Sequence, residues 1–125
     1  MGGLTFDTGA LVALERRKAR IGHVWTAARA RGALITVPSV VVVEWWKHGA
    51  RKAAAEAILA AVTVEWLDTD LAKIAAEAHA ATGSGAVDAV VMASAAQRGD
   101  VAYTQDVADL EALRAHFPAV RVLRA

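Results

Sequence analysis

The chain has 125 residues, of which 56% are hydrophobic and 22% charged, which excludes a disordered polymer and allows one domain with a sizeable core. It contains no cysteine, so disulfides, thiolate metal sites and cysteine nucleophiles are excluded, and its longest strongly apolar run, Val37–Val43, is too short to span a bilayer. The net charge of +1 hides a basic block: residues 16–52 hold nine Lys or Arg and one acid, Glu44, whereas residues 53–125 hold ten acids and five Lys or Arg. Such a block suits a polyanionic partner, although solvated helix faces also collect cations. No basic region followed by an apolar stretch opens the chain, so it reads as soluble and cytosolic.

In chain order, a short apolar segment, Leu4–Phe6, runs straight into Asp7, and a helical pattern from Ala10 to Glu15 follows Thr8 and Gly9. Strand, acid, helix places Asp7 at the carboxyl end of a buried strand, where open α/β sheets bind ligands. Asp is also a favoured helix N-cap, so a purely structural role stands beside the functional one. A second helix is expected over Ala19–Arg31, stopped by Gly32, and a second buried strand over Ala33–Val37, closed by Pro38 and Ser39. Ser39 then caps a helix through Lys47 that carries Glu44 between four valines and the pair Trp45–Trp46. An unpaired charge in that run must find a partner or the edge of the core. His48, four residues on, and Lys47 are partners for a plain surface contact, and one Trp is expected in the core.

Arg51–Ala61 reads as an Ala-rich helix, Val62–Leu67 as a third strand, and Asp68 or Thr69 as the cap of a helix with the stripe Leu71, Ile74, Ala75, Ala78. His79 continues that stripe and is expected to be partly buried. Thr82–Gly85 is a linker; it follows a helix and lacks a P-loop Lys, so it is not a nucleotide motif. Ala86–Ala96 is apolar nearly all round, the mark of a buried helix, and Asp88 is its only charge, placed in the first turn where the helix dipole favours an anion. Arg98–Asp100 reads as a turn and Val101–Thr104 as a fourth strand. Asp106 and Asp109 then precede a helix over Leu110–His116, as cap and first-turn acid or as site residues, and Val120–Leu123 is the last strand.

Five strands alternating with helices imply a single α/β domain: a parallel sheet with helices on both faces. Asp7, Glu44, Asp88 and Asp106 are the acids set at the end of, or inside, apolar runs. Converging carboxylates repel one another unless a cation neutralises them, and Mg²⁺ or Mn²⁺ prefers such oxygen ligands.

Leu4-Thr-Phe-Asp7-Thr-Gly-Ala-Leu11, Pro38 through Glu44, Val87-Asp88-Ala89 and Thr104-Gln-Asp106-Val-Ala-Asp109-Leu110 together resemble PIN-domain ribonucleases, most closely the VapC toxins of bacterial toxin–antitoxin pairs. The resemblance covers essentially the whole chain, with each motif weak alone and the ordered set fairly specific. It implies a five-stranded α/β/α fold and a Mg²⁺- or Mn²⁺-dependent endoribonuclease that leaves a 5′-phosphate and a 3′-hydroxyl. By that likeness Asp7, Glu44, Asp88 and Asp106 are the catalytic and metal-binding acids, Asp109 is an accessory acid, and Thr104 orients Asp106. It also implies a homodimer and a cognate VapB-type antitoxin. Arg16, Arg17, Lys18, Arg20, Lys47, Arg51 and Lys52 are candidates for contacts to the RNA backbone, which position a strand without reading its sequence. The chain departs from the family pattern at Gly9, where Ser is common, and at Gln105 and Val107, where Ser and Pro are frequent.

Other readings fare worse. A haloacid-dehalogenase-like phosphatase wants an acid where Gly9 stands, and a response-regulator receiver wants paired acids near the first strand and a late Lys. A catalytically idle PIN-like module that only binds RNA or protein is the alternative that an intact acid set argues against.

Overall fold

A computed structural model describes residues 2–47 and 51–125. Its strands are β1 (Leu4–Phe6), β2 (Ile35–Pro38), β3 (Thr63–Glu65), β4 (Val101–Thr104) and β5 (Arg121–Arg124), all parallel, in the order β3-β2-β1-β4-β5. The helices are α1 (Thr8–Glu15), α2 (Ala19–Ala30), α3 (Ser39–Lys47), α4 (Lys52–Ala61), α5 (Thr69–Thr82), α6 (Ala86–Arg98) and α7 (Val107–Glu111), the last continued by a 3₁₀ turn, Ala112–Ala115. From β1 the chain steps outward through β2 to β3, then crosses back to β4 and β5 on the other side. Right-handed crossovers therefore put α1–α4 on one face and α5–α7 on the other. The strand order reverses between β1 and β4, and the crevice at such a reversal is where open sheets hold their ligands.

β1 and β2 are buried along their whole length, as central strands of a two-sided sheet must be. Phe6, Leu11, Ile21, Trp45, Met92 and Leu113 fill the core, each worth about 1.5–3 kcal/mol of burial. α6 is buried from Ala89 through Ala95, as its sequence demanded. It lies against α5, where small side chains (Ala75, Ala78, Ala89, Ala93) allow close approach.

Several boundaries differ from expectation for local reasons. β2 starts at Ile35 because the Ala33 N–H is spent on the Ala28 carbonyl, closing α2 over a left-handed Gly32. β3, at the sheet edge, is three residues rather than six: its neighbour β2 ends where Pro38 pairs with Glu65 and the chain turns into α3. The Leu67 N–H goes instead to the Ser39 hydroxyl, and Trp66 is left 82% exposed. The seventh helix begins at Val107, not Leu110, and tightens to 3₁₀ before His116. His79 is exposed rather than packed: α5 buries a narrow stripe of Leu71, Ala75 and Ala78, and the imidazole turns to the Ser84 carbonyl of the next loop.

The turn at Arg98–Asp100 also differs from its expected character. Asp100 is buried, and its carboxylate accepts from Gly3 N, Thr5 Oγ1 and Arg98 Nε. Arg98 reaches on to Ser94, Thr5 and Glu65, so one guanidinium ties the end of α6 to β1, β3 and the entry to β4. Beside Thr5 on the sheet, the Thr36 hydroxyl is buried without a partner among the described residues.

Candidate active site

The end of β1 delivers Asp7 to the reversal point, where its backbone N–H bonds the Tyr103 carbonyl of β4. One carboxylate oxygen accepts from Ala10 N at 2.9 Å and caps α1. The capping and the pocket-lining readings of Asp7 thus hold together, since the same buried carboxylate lines a cleft of about 240 Å³. Glu44 from α3, Asp88 from the first turn of α6, and Asp106 and Asp109 from the β4–α7 junction line that cleft too. The acids singled out from the sequence are therefore brought to one place by four different segments.

Their surroundings differ. Burial pushes the Asp7 carboxyl up to about 6, with the charges of Asp88 and Asp106 adding to it against hydrogen bonds from Thr104 and Ala10. Burial likewise raises Asp88, and Asp109, Glu44 and Asp106 raise it further by repulsion. Glu44 does not stand alone in its apolar run: its Oε1 accepts from the Thr8 hydroxyl at 2.5 Å. The contact to His48 lies outside the described residues. Asp106 occupies the N-cap position of α7 without using its side chain there, and its N–H donates to the buried Thr104 hydroxyl at 2.9 Å. Thr104 thus serves Asp7 and the backbone of Asp106 at once.

Sequence reasoning missed Thr8 and Gln105. Thr8 follows the first acid directly, and its helical position facing α3 was the only available signal. Gln105 lines the cleft, its side-chain amide donating to the Ala125 carbonyl at 2.6 Å, and its backbone carbonyl accepts from the Arg124 guanidinium. Gly9 lies against it: a β-carbon at position 9 would come within 2.9 Å of the Gln105 β-carbon. Two departures from the family pattern are therefore one packing contact.

The basic candidates are all exposed and scatter. Arg16 and Lys18 line a cleft beside the acids, whereas Arg17 lines a separate groove with Trp25 and Ile58. Arg51 gives its backbone N–H to Glu15. Trp45 is buried and donates to Glu15, while Trp46 reaches the surface. Burial raises Glu15, but the Arg51 and Trp45 hydrogen bonds and the Arg51 and Arg16 charges outweigh it and hold the carboxyl below its ordinary value.

Among the described residues no three acidic or histidine side chains stand in ready-made ligating geometry. The donor set nevertheless fits a hard divalent cation. The charged groups lining the cleft are all carboxylates, and two of them, Asp7 and Asp88, are held above their ordinary proton affinity first by burial and then by their neighbours' negative charge, which a bound cation would offset.

The family profile of the PIN domain matches residues 4–114. The chain belongs to the PIN-domain family. Solved structures similar to this PIN domain include the DNA-bound VapBC of Salmonella typhimurium, at 18% identity, with a TM-score of 0.77 over 99% of this chain and 98% of that one. VapBC2 of Rickettsia felis bound to a promoter DNA fragment matches at 10% identity and a TM-score of 0.76, covering 98% of each chain. At such identities the likeness carries the fold alone. VapC20 of Mycobacterium tuberculosis, a toxin that cleaves the sarcin–ricin loop, is 28% identical, with a TM-score of 0.63 over 95% of this chain and 99% of that one. A search of curated proteins found no match. Among the described residues no helix of this PIN domain is long and apolar enough to cross a membrane.

Proposed function

We propose that this PIN domain is a Mg²⁺- or Mn²⁺-dependent endoribonuclease, the toxin of a VapBC-type pair. The observation that carries the reading is the meeting of Asp7, Glu44, Asp88 and Asp106, with Asp109, in one cleft at the point where the strand order reverses. The VapBC and VapC likenesses support the toxin assignment and a VapB-type antitoxin as partner. A homodimer belongs to the same reading.

Asp7, Asp88 and Asp106 would hold the cation, with Glu44 as a further ligand or water-mediated partner. When bound, the ion supplies positive charge to activate water and to steady the phosphodiester during in-line displacement. The chain does the rest. Thr8 holds Glu44 by its Oε1, leaving the second oxygen to take the proton of the attacking water. Thr104 keeps Asp106 beside Asp7 through the backbone N–H. Asp7 stays fixed because its other task, capping α1, locks its rotamer.

The test is cleavage of a total bacterial RNA pool by the antitoxin-free protein, with Mg²⁺ or Mn²⁺, with chelator, and with Asp88→Asn. Discrete 5′-phosphate ends that vanish in chelator and in the variant are expected. Metal binding without any cleavage would favour the idle module instead.

A further inference from the structure

The carboxylate cleft is the middle of a longer trough. On the α1 side it shares Gly9 and Gln105 with a cleft of about 220 Å³ that Arg16 and Lys18 also line. On the α6 side it shares Asp88 and Asp109 with a cleft of about 340 Å³ walled by Gly83, Ser84 and Gly85. The acids' cleft shares walls with both of its neighbours, but these two arms differ in charge. Among the described residues, two cations line the α1 arm and none lines the α6 arm.

We propose that the Arg16–Lys18 cleft is a backbone-phosphate subsite that grips the substrate strand on one side of the bond to be cut; the proposal rests on the nuclease reading above. Three observations carry it. First, Arg17 takes a left-handed φ of 57°, a conformation that crowds the β-carbon of a non-glycine residue. The turn is closed by Lys18 N on the Ala13 carbonyl at 3.0 Å, and it sends Arg17 to the groove beside Trp25 while Arg16 and Lys18 stay on the trough. Second, among the described residues neither Arg16 nor Lys18 is held in an ion pair. Both charges are open to an incoming anion. Third, the two clefts share a wall: Gly9 and Gln105 line both and pack against each other so closely that a side chain at position 9 would displace Gln105 where the acids' cleft meets the cations'.

A polyanionic strand meets a repulsive centre in the acids, so cations one step away supply the binding that holds it across them. The α6 arm, walled by small residues and the carboxylates Asp88 and Asp109, offers no such grip.

The experiment measures binding of a mixed-sequence single-stranded 16-mer RNA in Ca²⁺ at several salt concentrations, alongside cleavage in Mg²⁺. Arg16→Gln/Lys18→Gln is compared with Arg31→Gln/Arg121→Gln, which removes equal charge elsewhere. The slope of log affinity against log salt is expected to flatten by about 1.4 in the first variant, from about 0.7 per lost contact, and to stay unchanged in the second. Arg16→Lys/Lys18→Arg should keep the wild-type slope, which separates charge from folding. Equal slopes in both neutralised variants, with wild-type binding and cleavage intact, would overturn the subsite and leave the nuclease reading standing. A wild type that neither binds nor cuts the pool would remove the reading and the subsite with it.

Discussion

The hydroxyl of Thr8 donates to Oε1 of Glu44 at 2.5 Å, joining the first turn of α1 to α3 across the carboxylate cleft. This is the one hydrogen bond that fixes Glu44 among the described residues. Outer partners of ligating carboxylates commonly matter 10- to 100-fold in metal affinity or activity. Thr8→Val should therefore raise the Mg²⁺ concentration for half-maximal cleavage by about tenfold or more, while Thr8→Ser keeps it near wild type. Equal Mg²⁺ dependence in Thr8→Val and wild type would remove Thr8 from the site.

Gly9 and Gln105 form a coupled pair. A β-carbon at position 9 would stand 2.9 Å from the Gln105 β-carbon and 3.2 Å from its backbone nitrogen. Gly9→Ala should push the loop that carries Asp106 outward, costing about 1–3 kcal/mol as over-packed sites do, and should lower cleavage more than stability explains. Gln105→Gly beside it removes the side-chain clash and should recover part of the loss. A double-mutant cycle by denaturant unfolding measures the coupling; strict additivity would show that the two positions do not touch.

Much of this fold was legible because its signals are local and agree with one another. Asp7 follows a strand that is buried on both sides, and α6 is apolar all round, so the acids on them could be placed by pattern alone. What was not legible depends on neighbours distant in sequence. β3 ends early because β2, nearly thirty residues upstream, turns at Pro38. Asp100 looked like a solvated turn residue because its partners, Gly3 and Thr5, lie near the other end of the chain. Thr8 carries no charge and breaks no pattern, and Gln105 stands out only as a departure from the family pattern, so nothing local in the sequence marks their contacts to Glu44 and Gly9. His79 satisfied a helical period that α6, with its small residues, did not need to cover.

The network beneath α6 separates paired from orphaned polar groups. Arg98→Met leaves Asp100 buried without its cation and Glu65 with only the Ser94 hydroxyl, a change that typically costs about 3–5 kcal/mol. Thr36→Val removes a buried hydroxyl that has no partner among the described residues, so it should be neutral or stabilising by about 1 kcal/mol. Urea unfolding of both variants checks the contrast. A destabilised Thr36→Val would reveal a bonded hydroxyl, and an unaffected Arg98→Met a network without energetic weight.

Asp7 links stability, pH and metal. Its carboxyl titrates near 6 in the fold against 3.8 for the free group, so the folded chain binds that proton more tightly. The stabilisation from this proton is complete below about pH 4 and is lost as the pH rises through about 6, by about 3 kcal/mol in all. Glu15, held low, works in the opposite direction on acidification, so the informative quantity is the difference between wild type and Asp7→Asn. Asn caps a helix as well as Asp does, so the bond from Ala10 N survives. In chelator, Asp7→Asn should be more stable than wild type at pH 8 and no more stable at pH 4. Adding Mg²⁺ at pH 8 should then raise the melting temperature of wild type, whose carboxylate gains a counter-charge, and leave the variant where it was. Wild type more stable than Asp7→Asn in chelator at pH 8 would mean that the ionised carboxylate is already compensated by the fold. Stabilisation of both proteins by Mg²⁺ to the same degree would place the cation away from Asp7.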